Sequence, residues 1–181
     1  QGTIDQLSGA ENNVANGVSF LQVQDGILDS AAQIVSRMAE LKGLYSDVLK
    51  SQSDKDTYDS EFQDLQGQLY QLAQTQFNGN AMFSQTDAKV FDNATHESDE
   101  SIKVYITENG TSGNSVEIHK SLLLSALSFD DADGTNNVAF NLVTKGLAKD
   151  TSAAASTDTL ADTNFKTALI NKALGNVAKL R

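Results

Sequence analysis

A regular apolar repeat in residues 58–83 constrains the fold of this chain more than any other feature. The apolar side chains recur alternately four and three residues apart, at Tyr58, Phe62, Leu65, Leu69 and Leu72. This spacing is typical of the apolar stripe, or seam, along which one helix packs against another. The segment then reaches Asn78-Gly79, a pair that favours a chain reversal with positive φ. The sequence therefore predicts a helix that ends near Gln76 and a partner helix elsewhere in the chain.

Residues 4–49 supply that partner as one long predicted helix. Its apolar residues fall into three neighbouring heptad columns, which are Phe20, Ile27, Ile34, Leu41 and Val48, then Val14, Leu21, Leu28 and Val35, then Ala31, Met38 and Tyr45. Because this face is broader than a two-stranded seam needs, we expect the helix to contact more than one other helix. Ser53 or Asp54 is the predicted cap of the second helix. A third helical pattern runs from about residue 158 to residue 181.

The middle of the chain, residues 84–157, has a different character. Ile102, Val104 and Ile106 alternate with polar residues, which predicts a β-hairpin that pairs residues 102–107 with residues 115–119. The other segments are less defined. Residues 122–129 fit either helix or strand, and residues 130–137 are predicted to form an acidic loop. Residues 138–148 fit a short strand or a helical turn, and residues 151–159 fit a linker or a fraying helix. The predicted fold is mainly α, a long antiparallel helical bundle or coiled coil with a β-hairpin region at one end.

Composition narrows the classes of function. The 181 residues contain neither cysteine nor proline, and their formal net charge is −11. Without cysteine there are no disulfides and no thiolate metal ligands. The negative charge argues against nucleic acid or anionic lipid as a partner. No apolar run approaches the length of a membrane span, so we expect no membrane insertion.

The sequence offers no convincing catalytic or metal site. His96 and His119 are far apart and lack any zinc-binding spacing. An acidic stretch that ends at Gly134 resembles a calcium loop, but register on that glycine puts Phe129 and Phe140 where acidic ligands are required. No phosphate-binding loop or nucleophile elbow is present. We therefore predict no enzymatic activity and no cofactor.

Four segments of the chain carry the motifs of one known family. Residues 13–28 resemble its Asn-Ala-x-Asp-Gly-x-Ser-x-x-Gln stretch, and residues 35–41 resemble its Gln-Arg-x-Arg-Glu-Leu segment. Phe77-Asn78-Gly79 resembles the motif that closes its second helix. Residues 173–181 resemble its C-terminal Ala-Leu-x-x-Val-x-x-x-Arg. Together these segments resemble bacterial flagellin. This sequence departs from the family's pattern at Asn16, Ser36 and Ala39, where Asp, Gln and Arg are usual.

The resemblance implies a single D1-like core made of an N-terminal helical hairpin (residues 1–83), a β-rich and loop region (84–157) and a C-terminal helix (158–181). Both ends of the chain fall within helical patterns, so we expect a core that lacks the terminal D0 segments. Because the family's terminal segments drive polymerisation, this chain alone is expected to be monomeric. The implied partners are other flagellin subunits and, for the full-length chain, flagellar export and cap proteins. The implied location is the extracellular flagellum.

The resemblance also implies a surface that faces an innate receptor. In many flagellins Toll-like receptor 5 binds a helix face that corresponds here to Ser36, Arg37, Leu41 and Glu61. A guanidinium, a carboxylate and an apolar anchor on one face suit such recognition. Two alternative functions remain open from the residues alone. One is a hook–filament junction protein of the flagellin superfamily, and the other is a surface adhesin or glycan-binding module that uses the β region.

Overall fold

The computed structural model describes residues 2–83, 101–119, 123, 129–130, 137–141, 146–149, 160 and 167–181. Among these residues, three long helices carry the architecture: α1 (Gly2–Tyr45), α2 (Gln52–Ala73) and α3 (Thr167–Leu180). The described residues between α2 and α3 include seven strands: β1 (Gln76–Phe77), β2 (Asn80–Ala81), β3 (Ser101–Tyr105), β4 (Ser115–His119), β5 (Phe129–Asp130), β6 (Asn137–Asn141) and β7 (Gly146–Lys149). The prediction of a mainly α fold with a small β region is confirmed.

Helix α1 ends at Tyr45, four residues before the predicted end, because a capped turn follows it. Ser51 adopts an extended backbone conformation and is the N-cap of α2, so the prediction of Ser53 or Asp54 as the cap was wrong. Asp54 instead occupies the third helical position. Its amide donates to Ser51 Oγ at 3.2 Å, and its carboxylate accepts from the Ser51 amide at 3.3 Å. This reciprocal capping box fixes where α2 begins.

Helix α2 ends at Ala73 rather than near Gln76, because the next residues form the β1–β2 hairpin. Phe77 pairs with Asn80 across the turn. The two residues between them both have positive φ, 50° at Asn78 and 80° at Gly79. This conformation matches the right-handed twist of the two strands, and it is why Asn-Gly is the preferred pair in such turns. The predicted chain reversal is therefore confirmed.

Helices α2 and α3 both run antiparallel to α1. Lys55 near the start of α2 lies over the Tyr45 ring at the end of α1, and Glu61 lies opposite Arg37. For α3, Lys42 near the end of α1 bonds to Leu160, which precedes α3, and Arg181 after the end of α3 bonds to Asp25, which lies earlier in α1. The broad face of α1 therefore contacts two helices, as its three heptad columns predicted.

Most of the apolar columns lie in one core. Its buried residues are Phe20, Leu28, Ala31, Val35, Met38, Leu41, Phe62, Leu69, Ala73, Met82, Phe83, Leu123, Leu160, Ile170, Ala173 and Val177. Tyr58, Leu65 and Leu72 are half-buried against it. Three column members are exposed instead, namely Val14, Leu21 and Val48. The first two precede the part of α1 that α3 covers, and Val48 lies beyond the end of α1.

The predicted β-hairpin of β3 and β4 is confirmed, with Ile102 opposite Ile118 and Val104 opposite Val116. This hairpin packs against α1 at Gly17. A Cβ at Gly17 would lie only 3.3 Å from Cγ2 of Val104 and 3.4 Å from Cδ1 of Ile118. The glycine therefore allows the hairpin to approach the helix closely.

A third small sheet has the strand order β5-β6-β7, and both pairs are antiparallel. Residues 138–148, which fitted a strand or a helical turn, thus contribute two strands rather than one element. Of the predicted acidic loop at residues 130–137, the two end residues lie in β5 and β6, and residues 131–136 lie outside the described residues. The segment predicted as a linker or fraying helix, residues 151–159, also lies outside them. In the predicted C-terminal helix, Leu160 is described before α3, which is described from Thr167.

Candidate interaction surface on helices α1 and α2

An arginine fork joins α1 to α2 on the outside of the bundle. Arg37 Nε donates to Glu61 Oε1 at 2.8 Å, and Arg37 Nη2 donates to Glu61 Oε2 at 3.1 Å. Arg37 Nη1 donates to Glu40 Oε2, one turn along α1, at 2.8 Å. A guanidinium matches a carboxylate in this two-point geometry, which fixes the orientation of both side chains. We call Ser36, Arg37, Glu40 and Glu61 the Arg37 surface.

The ion pairs of this surface are partly exposed to solvent. The side chains of Arg37 and Glu61 are 42% and 39% exposed. The hydrogen bonds from Arg37 are the main cause that lowers the pKa of Glu61. Glu61, and then Glu40, raise the pKa of Arg37 by accepting its hydrogen bonds, so the guanidinium stays charged. Because solvent screens such a pair, its contribution to the free energy of unfolding is about 0.2–1 kcal/mol.

Leu41 does not belong to this surface, which corrects the expectation of an apolar anchor there. Its side chain is 0% exposed and lies in the core. The heptad position of Leu41 directs it towards the other helices, beneath the charged residues. Ser36 is exposed, and Ala39, three residues after it, is half-buried against the core. The structure therefore brings together Ser36, Arg37 and Glu61, but not Leu41.

Replacing Glu61 with glutamine should destabilise the protein at neutral pH but not in acid. The folded pKa of Glu61 is lowered, so its stabilisation is present above the unfolded pKa of about 4.3 and is lost as the pH falls through the folded pKa. Urea unfolding should show Glu61→Gln less stable by up to about 1 kcal/mol at pH 7. This difference should shrink towards zero near pH 3.

The matched control is Asp64→Asn, which removes an exposed acid from the same helix. Asp64 forms no ion pair with any residue that the structure describes. A Glu61→Gln deficit that stays constant from pH 7 to pH 3 would contradict the proposed role of the ion pair.

A second arginine fork, which the sequence did not predict, joins the end of α3 to α1. Arg181 Nε and Nη2 donate to the Asp25 carboxylate at 2.9 and 3.2 Å, and Arg181 Nη1 donates to Asp29 Oδ1 at 2.9 Å. The hydrogen bond from Arg181 is the main cause that lowers the pKa of Asp25. Asp25 and Asp29 lie four residues apart on α1, and this spacing could have indicated a site for a basic side chain. The sequence does not give the register of α3 against α1, so the basic partner could not be identified.

Two buried polar side chains of α1 were also missed. Gln24 Nε2 donates to the Met82 carbonyl oxygen at 2.9 Å. Lys42 Nζ donates to the Leu160 carbonyl oxygen at 2.8 Å. Both bonds connect α1 to backbone that is distant in sequence, and buried polar groups of this kind need such partners. They hold the fold together rather than form a surface.

A cleft of about 230 Å³ lies between α1 and the two hairpins, next to Asn13, Phe20, Phe77 and Tyr105. Asn13 Nδ2 donates to the Tyr105 carbonyl oxygen at 3.3 Å. The described residues that line the cleft include no acid, histidine or cysteine that could act as a general base or nucleophile. In the part of the chain that the structure describes, no cluster of three His, Cys, Asp or Glu residues is arranged to hold a metal ion.

The described helices also include none with the length and apolar character required to cross a membrane. The described helices form a long rod, in which α1 packs against two shorter helices and carries ion-paired outer faces. Residues 1–88 match the family model of the bacterial flagellin N-terminal helical region. This match supports a bacterial flagellin-family protein with a structural role. No curated protein matches the chain.

The matched residues include α1, α2 and the β1–β2 hairpin, so they contain the Arg37 surface. The resemblance of residues 13–28, 35–41 and 77–79 to flagellin is therefore confirmed. The resemblance of residues 173–181 lies outside the matched range and stays a prediction.

Proposed function

We propose that this protein is a structural subunit of the extracellular bacterial flagellar filament and self-assembles for motility. The observation that carries this proposal is the match of residues 1–88 to the flagellin N-terminal helical region. The partners are other copies of the subunit, together with flagellar export and cap proteins. In this account the protein is not an enzyme and binds neither nucleic acid nor membrane.

The shape of the molecule suits this function. Helix α1 has 44 residues, which gives a rod of about 66 Å. Partner helices on two sides and arginine forks on the outside stiffen this rod. A rigid rod that contacts the next copy through unlike surfaces forms a helical polymer rather than a closed ring.

Deletion of the gene in the source bacterium tests the proposal. We expect electron microscopy to show cells without filaments, and we expect the restored gene to recover both filaments and swimming. Mass spectrometry of purified wild-type filaments should find peptides of this chain as the main component. Normal filaments after deletion, or filaments without these peptides, would contradict the proposal.

Immunogold labelling separates the alternatives in the same cells. Label along the whole filament is the expected result. Label confined to the base of the filament would indicate a hook–filament junction protein. Label on the cell body away from flagella would indicate an adhesin or glycan-binding module.

The Arg37 surface is also proposed to bind Toll-like receptor 5, through Ser36, Arg37 and Glu61. Ser36 lacks the amide reach of the family's glutamine, and the guanidinium of Arg37 is already shared between two carboxylates. Ser36→Gln should therefore strengthen binding to the receptor ectodomain about fivefold in surface plasmon resonance, which corresponds to about 1 kcal/mol. Adding arginine at position 39 would be a poorer test, because Ala39 packs against the core.

Ser53→Gln, at an exposed serine on α2, is the control and should leave the affinity unchanged. Equal affinities of Ser36→Gln and the wild type would contradict the proposed contribution of position 36 to receptor binding. Absence of binding by both would show that this surface is not a receptor site.

A further inference from the structure

The chain contains three Asn-Gly pairs, and the structure places each in a different setting. Asn16-Gly17 lies in α1, Asn78-Gly79 forms the turn between β1 and β2, and Asn109-Gly110 lies between β3 and β4. All three asparagines are exposed to solvent. Asparagine is chemically labile, and a following glycine has no side chain to shield it. The three pairs are identical as dipeptides, so any difference in their reactivity comes from the fold.

Spontaneous deamidation at such a pair consumes only water. The backbone nitrogen of the glycine loses its proton and attacks Cγ of the asparagine side chain. The bond from Cγ to the amide nitrogen breaks, and ammonia leaves with a proton. Water then opens the resulting succinimide ring at either of its two carbonyl groups, which gives aspartate or isoaspartate. The net change is the loss of one ammonia and the gain of one water, and a neutral amide becomes a carboxylate.

Closure of the succinimide ring sets a condition on the backbone. The glycine nitrogen must lie on the same side of the Cα–C bond as Cβ of the asparagine. For an L-residue this requires a ψ of about −120°, the value at the first central residue of a type II′ turn. The peptide group between the asparagine and the glycine must therefore rotate, and the hydrogen bonds that hold it must break.

The peptide group between Asn78 and Gly79 is free to rotate. No described residue accepts a hydrogen bond from the Gly79 amide, and none donates one to the Asn78 carbonyl oxygen. The φ values of 50° and 80° are those of a type I′ turn. Rotation of this one peptide group gives a type II′ turn, in which the first φ stays positive and the second changes sign. Because glycine accepts either sign, Phe77 and Asn80 can remain paired during the rotation.

The peptide group between Asn109 and Gly110 is held at both of its polar atoms. The Gly110 amide donates to the Thr107 carbonyl oxygen at 3.4 Å. The Asn109 carbonyl oxygen accepts from the Ser112 amide at 3.2 Å. Rotation of this group must break both hydrogen bonds, so the conformation that closes the ring is less populated than at Asn78.

Asn16 and Gly17 are held by the helix and by tertiary packing. Their peptide group lies inside α1, where backbone hydrogen bonds engage its amide and its carbonyl oxygen. Gly17 is also buried where Val104 and Ile118 of the β3–β4 hairpin approach the helix. Ring closure at Asn16 therefore requires local unfolding of α1 and separation of the hairpin from it.

We propose that Asn78 is a site of spontaneous deamidation in the folded protein, whereas the fold protects Asn109 and Asn16. The reaction needs only the folded chain and water, so it does not depend on the proposed function. It is slow and proceeds in one direction, and the modified fraction at Asn78 therefore records the age of the chain.

Deamidation at Asn78 changes the cleft between α1 and the two hairpins. Among the described residues that line this cleft, Lys103 carries the one charge, and the reaction adds a carboxylate to the same cleft. Aspartate keeps the length of the backbone, whereas isoaspartate adds one carbon atom to a two-residue turn. The isoaspartate product therefore disturbs the pairing of Phe77 with Asn80. It also disturbs the edge contact of Phe77 with Phe20, whose ring centroids lie 5.8 Å apart.

Trypsin separates the three sites, because its cleavage places them on peptides 1–37, 56–89 and 104–120. The folded protein is incubated in mildly alkaline buffer made with water enriched in heavy oxygen, so that each deamidation during the incubation is labelled. Mass spectrometry of the peptides should show Asn78 reacting at least about fivefold faster than Asn109, the ratio that corresponds to one hydrogen bond of about 1 kcal/mol. Asn16 should react most slowly. Asn80, which precedes alanine in the same peptide as Asn78, should stay unmodified.

The same chain unfolded in urea is the matched control. Unfolding removes the hydrogen bonds that distinguish the sites, so the three Asn-Gly pairs should then react at similar rates. In the folded protein, Asn78→Gly keeps a residue that tolerates positive φ and should leave peptide 56–89 unlabelled.

A folded protein in which Asn109 reacts as fast as Asn78, or faster, would overturn the proposed site. So would a folded protein whose peptide 56–89 stays unlabelled while the unfolded chain reacts. Either result would leave the filament function standing, because gene deletion and labelling of filaments decide that function.

Discussion

Replacing Phe62 with alanine is expected to lower the free energy of unfolding by about 3–5 kcal/mol. Phe62 is 0% exposed and belongs to the core that α2 shares with α1. Removal of its ring discards a large buried apolar surface and leaves a cavity that rigid helices cannot close. Urea unfolding followed by circular dichroism measures the loss. A loss of this size is a large part of the stability of an ordinary domain.

The matched control is Leu65→Ala, three residues further along the same helix. Leu65 is half-buried, so its truncation should cost clearly less than that of Phe62. Equal losses at the two positions would contradict the assigned register of α2. A loss below about 0.5 kcal/mol at Phe62, the range typical of surface substitutions, would mean that the seam faces solvent.

Leu41→Ala is expected to cost about 2–5 kcal/mol, because Leu41 is fully buried although it lies beneath the Arg37 surface. Ser36→Ala, at an exposed position five residues earlier, should stay within about 0.5 kcal/mol of the wild type. Thermal or urea unfolding of the two variants side by side measures the contrast.

This pair of variants also separates packing from recognition. Under conditions where Leu41→Ala remains folded, its affinity for the receptor should equal that of the wild type. A Leu41→Ala protein with wild-type stability and reduced receptor binding would restore Leu41 as a surface anchor and contradict its buried position.

The helical part of the fold could be predicted from sequence because its signals are local. The apolar repeat that includes Phe62 and Leu69 predicted α2, and Asn78-Gly79 predicted the chain reversal that follows it. The cap of α2 was misplaced by two or three residues, because Ser51, Ser53 and Asp54 are all suitable residues and only the path of the turn distinguishes them. Likewise, nothing local to Val48 showed that α1 stops at Tyr45.

The candidate surface could be predicted only in part. Arg37 and Glu61 were identified through the resemblance to flagellin, and the antiparallel helices bring them into a two-point ion pair. Leu41 was misassigned, because nearness in sequence to Arg37 does not decide which side of a helix a residue occupies. The link from Arg181 to Asp25 could not be predicted, since it depends on the axial register between helices that are distant in sequence.

An electron cryomicroscopy reconstruction of filaments purified from the source bacterium tests the central claim most directly. The account predicts a helical polymer in which the density of each subunit fits the α1–α2–α3 bundle, with α1 along the filament axis. Filaments whose density excludes this bundle would contradict the account.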